Sequence, residues 1–214
     1  MEDETLQQMQ SKRQWIKNSF FIEKPLMTSA LQCLNKAIDL EVFQFDLSDG
    51  GKEKLIEISD QVKKEGSAAS TGPSNENRKY TNRRNNTTLK SINNKFIEEL
   101  KEQLGEIYSV RKNQNICFYE CSYYEEGQHF APHYDFRSES GQVRKRTILL
   151  YMQEPSSGGA LRFPLLQHEI MPIQGLIVSW NNTLDCTHPD LLSLHESLII
   201  NSGKKSVMTF FQCE

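Results

Sequence analysis

The 214 residues, 37% hydrophobic and 25% charged, describe one soluble domain or a domain with a short appendage, and exclude a large multidomain assembly. A chain of this length buries roughly 70% of its extended surface on folding, so a core forms without metal or disulfide staples and a metal would serve chemistry. The net charge of −3 gives no global basic field and disfavours obligate binding to a nucleic-acid backbone, leaving only a local patch. There is no run of 18 apolar residues, and the start, MEDETLQQMQSKRQW, is acidic and polar where a signal peptide is basic and then apolar. The expected location is therefore the cytosol. Five scattered cysteines, Cys33, Cys117, Cys121, Cys186 and Cys213, argue against a disulfide framework, and all five are expected as reduced thiols.

The first half reads as helices broken by polar segments. Thr28 or Ser29 can cap a helix carrying Leu31, Leu34 and Ile38, and Leu55, Ile58 and Val62 mark a second. A third, NKFIEELKEQLGEIY, places Phe96, Leu100, Leu104 and Ile107 on one face. Between the last two lies a polar stretch, 66–94, with almost nothing to bury and the densest basic cluster of the chain, Arg78, Lys79, Arg83 and Arg84. A stretch of that length is either a solvated linker or a functional loop, here a candidate substrate lid whose arginines would meet an anionic or polar group. From Asn115 onward the period changes to short apolar or alternating runs, ICFYECSYY, RTILLYM, ALRF, GLIVSW, ESLII and SVMTFFQ, separated by turn residues. The reading is a single α+β domain over 1–214, with helical support over 1–110 and a sheet sandwich or barrel over 115–212.

The chemistry concentrates in YYEEGQHFAPHYDF and, 60 residues after Asp135, in His195. Residues i and i+2 of a strand share a face, so His133 and Asp135 can present an imidazole and a carboxylate side by side. A second histidine from another strand completes two His and one carboxylate on one side of a metal with three positions left open, the donor set of non-heme Fe(II) oxygenases. His195 leads directly into ESLII, whereas Pro189 follows His188, so His195 is the preferred partner. His129 lies four residues before His133 and is read as surface or supporting, and His168 as a loop residue. Trp180 ends a strand and reads as a core tryptophan first and a substrate contact second.

Around this trio stand Tyr124 and Gly127, Pro132-His133-Tyr134-Asp135-Phe136, Arg146-Thr147 opening ILLYM, Gly158-Gly159, Phe163-Pro164, Pro172, Gly175 before LIVSW, and Gly203-Lys204-Lys205 after His195. In this order the chain resembles the 2-oxoglutarate- and Fe(II)-dependent dioxygenases, and among them the prolyl 4-hydroxylase-like branch, over roughly residues 115–212. The resemblance implies a double-stranded β-helix, a jelly-roll of two facing sheets. It implies Fe(II) held by His133, Asp135 and His195, and 2-oxoglutarate held through its distal carboxylate by Lys205 and hydrogen-bonded by Tyr124, with dioxygen as co-substrate and ascorbate as a reductant. Alternation lets only one of Lys204 and Lys205 point inward, and the family spacing from His195 favours Lys205. Ser206 departs from the branch, which usually carries an aromatic there.

The implied reaction hydroxylates an unactivated C–H bond with release of succinate and carbon dioxide; related halogenases lack the carboxylate that Asp135 supplies. The leading substrate is a prolyl residue of a peptide or protein. The alternative is a free amino acid or other small molecule, with Arg78, Arg83, Arg84 and Trp180 as candidate substrate contacts. An oxidative demethylase of nucleic acid shares the iron donors but typically grips 2-oxoglutarate with arginine. The non-enzyme reading is an inactive jelly-roll binding module.

Overall fold

The computed structural model describes residues 21–25, 37–47, 49–69, 85–90, 92–108, 115–139 and 142–214. In chain order the described elements begin with β1 (Phe21–Pro25), β2 (Glu41–Leu47), helix α1 (Asp49–Glu65), β3 (Ser67–Ala68), β4 (Thr87–Leu89) and helix α2 (Lys95–Tyr108). The second half comprises β5 (Asn115–Tyr124), β6 (Phe130–His133), β7 (Ser138–Glu139), β8 (Gln142–Gln153), β9 (Ser157–Gly158), β10 (Leu161–Phe163), β11 (His168–Ile170), β12 (Leu176–Asn181), β13 (His195–Ser197), β14 (Ile200–Ser202) and β15 (Lys205–Cys213). The major sheet runs β1-β2-β12-β8-β15-β5-β4-β3 with β7 paired to β8, and the minor sheet runs β11-β10-β13-β6. Two facing antiparallel sheets fed by strands that alternate between them form the double-stranded β-helix that the family resemblance implied, within the sandwich or barrel expected from the C-terminal periodicity.

Strand alternation divides the apolar residues of the major sheet into two buried layers. Tyr124, Tyr151, Val178, Trp180 and Val207 face the minor sheet, where they meet Leu161, Phe163 and Ile170. Ile148, Leu150, Met152, Ile177, Met208 and Phe210 face the other way and pack under the two helices. Leu55, Ile58 and Val62 of α1 are fully buried there, as are Ile97, Leu100 and Leu104 of α2. The spacing of those residues is the three- and four-residue stripe that forms a helix over an apolar sheet face. Asn94 opens α2 by accepting from Phe96 N–H at 2.9 Å. After α1 the chain turns at Gly66, where a Cβ would lie 2.4 Å from Val62 O and 2.5 Å from Thr87 Cγ2, so only glycine fits.

Five expectations change. The first half is not helical throughout: β2 sits inside the major sheet between β1 and β12. Its sequence, EVFQFDL, alternates as a strand does, with Val42 buried between the sheets and Phe43 under the helices. The polar stretch also holds ordered, buried residues, since β4 pairs with β5 and Asn86, Thr88 and Ile92 are buried. The Tyr119 hydroxyl accepts from Ile92 N–H and donates to Ile92 C=O, both at 2.8 Å. His168 opens a strand, pairing with Phe163, and ESLII divides between β13 and β14, broken where Leu198 N–H turns to Ala160 O at 2.8 Å. Thr28, Ser29, Leu31 and Leu34 lie outside the described residues, while Ile38 is buried between the sheets.

The fifth change concerns the cysteines: Cys117 and Cys213 form a disulfide between β5 and β15, Cα atoms 5.7 Å apart, within the usual span for a bridge. The cause is a bulge. The pairing register slips between Phe211 and Gln212, and the buried side chains change parity from Ile116 to Tyr119, so Cys117 is swung beside its partner. Among the described cysteines, Cys121 is free and buried and Cys186 free and half-buried.

Candidate metal and cosubstrate site

His133 ends β6 and His195 opens β13, and the two are directly paired in the minor sheet. Their ring centroids lie 4.3 Å apart. Asp135, two residues past His133, turns its carboxylate between them, Oδ1 3.6 Å from His133 Nε2 and Oδ2 3.5 Å from His195 Nε2. The ligand atoms of the three residues lie within 4.8 Å of one another, making them the one such group among the described residues. Each imidazole is oriented from behind: Nδ1 of His133 faces Ala131 O at 2.8 Å and Nδ1 of His195 faces Ser193 O at 2.9 Å. A carbonyl on Nδ1 requires the proton there, so both Nε2 lone pairs point to the centre. Phe130 stacks on His133 at 3.6 Å, and Trp180 meets His195 edge-on at 4.8 Å.

Burial works against the ionised Asp135, but the two histidines and the Thr147 hydroxyl outweigh it and hold the carboxyl well below its ordinary range. Burial and the neighbouring His133 push the His195 imidazole down to about 4, so at neutral pH it is uncharged, the form a metal requires. Two imidazole nitrogens and a carboxylate oxygen converging on one point are the donor set that suits iron, and the residues present therefore fit it.

The carboxylate has its own support. Thr147 Oγ1 donates to Asp135 Oδ2 at 2.8 Å, and Asn182 Nδ2 donates to Thr147 Oγ1 at 2.9 Å. Asn182 is fixed by backbone bonds to Lys145 O at 2.7 Å and from Asp190 N–H at 2.8 Å. Asp190 then caps the turn Leu191–Ser193, whose Ser193 carbonyl orients His195. One hydrogen-bonded framework thus sets both Asp135 and His195. Arg146, the neighbour of Thr147, projects to the opposite face, pairs with Asp39 and Glu41, donates to Ser179 Oγ at 2.7 Å and lies over Tyr108.

Lys205 opens β15 and points inward between the sheets, buried to 2% exposure, while Lys204 is exposed and reaches Asp60 at 3.9 Å. The Lys205 ammonium donates to Gly159 O at 2.7 Å and to Ser197 Oγ and lies 4.7 Å from the centre of the Tyr124 ring. Burial lowers it to about 7. Among the described residues no carboxylate pairs with it, and a buried ammonium left without an anion fits the distal carboxylate of 2-oxoglutarate. Tyr124 is its directly paired neighbour on β5.

The structure brings His133, Asp135 and His195 together, and separately Lys205 with Tyr124. His188 is exposed beside Asp185 and Thr187, and His129 is half-buried at the entry to β6, its N–H bonded to Asn85 Oδ1 at 2.8 Å. Arg78, Arg83 and Arg84 lie outside the described residues. Trp180, a candidate substrate contact, has 0% exposure; it packs on His195 and Phe163 and offers a substrate no surface. Sequence reasoning missed Asn182, Ser197 and Tyr151, a buried residue beside Tyr124. For Ser197 the signal was present, since it alternates onto the face of His195.

Residues 119–212 match the family model described as the 2OG-Fe(II) oxygenase superfamily. This stretch is a 2-oxoglutarate- and Fe(II)-dependent oxygenase unit, and the chain is an Fe(II)/2-oxoglutarate-dependent dioxygenase using Fe(II), 2-oxoglutarate and O2. Among solved structures it is similar to the viral collagen prolyl hydroxylase vCPH from Paramecium bursaria Chlorella virus-1 in its 2OG complex, at 19% identity over 81% of this chain and 95% of that one, TM-score 0.62. A Pseudomonas putida prolyl-4-hydroxylase matches at 17% identity over 87% and 98%, TM-score 0.58. A Trichoplax adhaerens prolyl hydroxylase in complex with a hypoxia inducible factor oxygen degradation domain peptide matches at 12% identity over 95% and 91%, TM-score 0.61. At these identities the likeness is one of fold.

Proposed function

We propose that this dioxygenase hydroxylates a prolyl residue of a peptide or protein, with His133, Asp135 and His195 holding the iron and Lys205 and Tyr124 anchoring 2-oxoglutarate. The observation that carries the reading is the fold shared along most of the chain with three prolyl hydroxylases, one of them in complex with a peptide. Bound iron supplies the coupling of 2-oxoglutarate decarboxylation, giving succinate and carbon dioxide, to insertion of one oxygen atom into a C–H bond. The protein's part is positional. Ala131 and Ser193 carbonyls aim the two imidazoles, Thr147 fixes the carboxylate, and the buried ammonium of Lys205 sets the depth at which the cosubstrate sits. We place the support of this unit in α1 and α2, which back the major sheet from the outside.

The test is succinate release, with mass analysis of products, across proline-containing peptides, free amino acids and nucleotides. A peptide that raises succinate above the substrate-free rate and gains one oxygen on its proline is the expected result. Turnover confined to free amino acids or nucleotides overturns the prolyl assignment.

A further inference from the structure

We propose that Ser197 is a second anchor for the distal carboxylate of 2-oxoglutarate, donating its hydroxyl beside the Lys205 ammonium; this rests on the reading of Lys205 as the cosubstrate anchor. The pleat of β13 puts His195 and Ser197 on the inner face, while Glu196 between them pairs with Arg162. Lys205 enters the same space from the opposing sheet and donates to Ser197 Oγ. An ammonium carries three hydrogens and accepts none. Gly159 O takes one and Ser197 Oγ a second, leaving one.

The hydroxyl that accepts from Lys205 retains its own hydrogen, and among the described residues no acceptor takes it, although Ser197 is half-buried between the sheets. Two adjacent donors, one of them cationic, remain in a space into which no described protein carboxylate reaches. Both are satisfied by the two oxygens of one carboxylate, and a neutral or cationic end group leaves them unpaired. Gly159 keeps the arrangement tight, because a Cβ there would stand 2.4 Å from Ile200 Cδ1 and 3.4 Å from Lys205 Cδ.

The experiment measures binding on the full chain loaded with Mn(II), by calorimetry, using 2-oxoglutarate and 2-oxopentanoate, which has the same carbon chain without the distal carboxylate. S197A weakens 2-oxoglutarate roughly 10- to 100-fold, the loss expected for one hydrogen bond to a charged group, and leaves 2-oxopentanoate unchanged. S197T, which keeps a hydroxyl, stays within a few-fold of the parent. S197C, near-isosteric and a poor donor, carries the same test should S197A fail to fold. Unchanged 2-oxoglutarate affinity in S197A, or equal loss of both ligands, overturns the proposal. K205M separates the two levels: if it weakens 2-oxoglutarate while S197A does not, Ser197 alone is wrong, and if it does not, the anchoring role of Lys205 falls with it.

Discussion

Replacing Thr147 with valine keeps the side-chain shape and deletes the hydroxyl that links Asp135 to Asn182. Two interactions are lost. The bond to the Asp135 carboxylate, 2.8 Å long, is of the charged class and contributes about 1.5–3 kcal/mol. The amide of Asn182, fully buried and bonded through its side chain to Thr147, is left without a partner, at a further cost of about 1–3 kcal/mol. The expected outcome in urea unfolding of the metal-free protein is a destabilisation of about 3–5 kcal/mol, recovered in large part by T147S. With Co(II) as a spectroscopic substitute, T147V binds metal roughly 10- to 100-fold more weakly, the usual consequence of freeing a ligating carboxylate. The double variant T147V/N182L removes both ends of the inner bond and is expected to be more stable than T147V alone. Parent-like stability and Co(II) affinity in T147V would refute the idea that this hydroxyl holds Asp135.

Three further outcomes follow from the same packing. Because burial depresses Lys205 from 10.5 to about 7, the unfolded chain binds the extra proton between those values. Metal-free stability therefore rises as pH climbs from 7 toward 10.5, while 2-oxoglutarate affinity, which needs the charged form, falls over the same window; K205M removes both trends, read by chemical unfolding and calorimetry at stepped pH. Trp180→Ala costs about 3–5 kcal/mol and weakens Co(II) binding by unseating His195. Trp180→Phe costs less than its lost volume suggests, because the indole N–H is buried without an acceptor among the described residues. Reducing the Cys117–Cys213 bridge, whose ends are 96 residues apart, lowers stability by about 2–4 kcal/mol in denaturant titrations with and without reductant, and C213S shows no such difference.

The catalytic half was legible because its strands alternate between turn residues, so parity put His133 and Asp135 together and let only one of Lys204 and Lys205 point inward, while the family spacing from His195 favoured Lys205. The same rule failed at Cys117, where a bulge reverses parity without a glycine or proline to mark it. Strand β2 was hidden by its setting: EVFQFDL alternates, but it lies between segments with helical spacing, and only pairing across to β12 makes it a strand. Asn182 could not be found from local pattern, since its partner Thr147 is 35 residues away and meets it only when β8 and β12 lie side by side.

Arg146 and Thr147 are consecutive residues of β8 whose side chains leave the strand in opposite directions, one gripping Asp39 and Ser179, the other Asp135. A strand clamped on both faces at adjacent positions has no freedom to roll about its own axis. The aim of the site's carboxylate is therefore geared to an ion pair on the far side of the sheet, and loosening Asp39 would be felt as a twist at Asp135. Substitutions before β2 can in this way retune a donor they never approach.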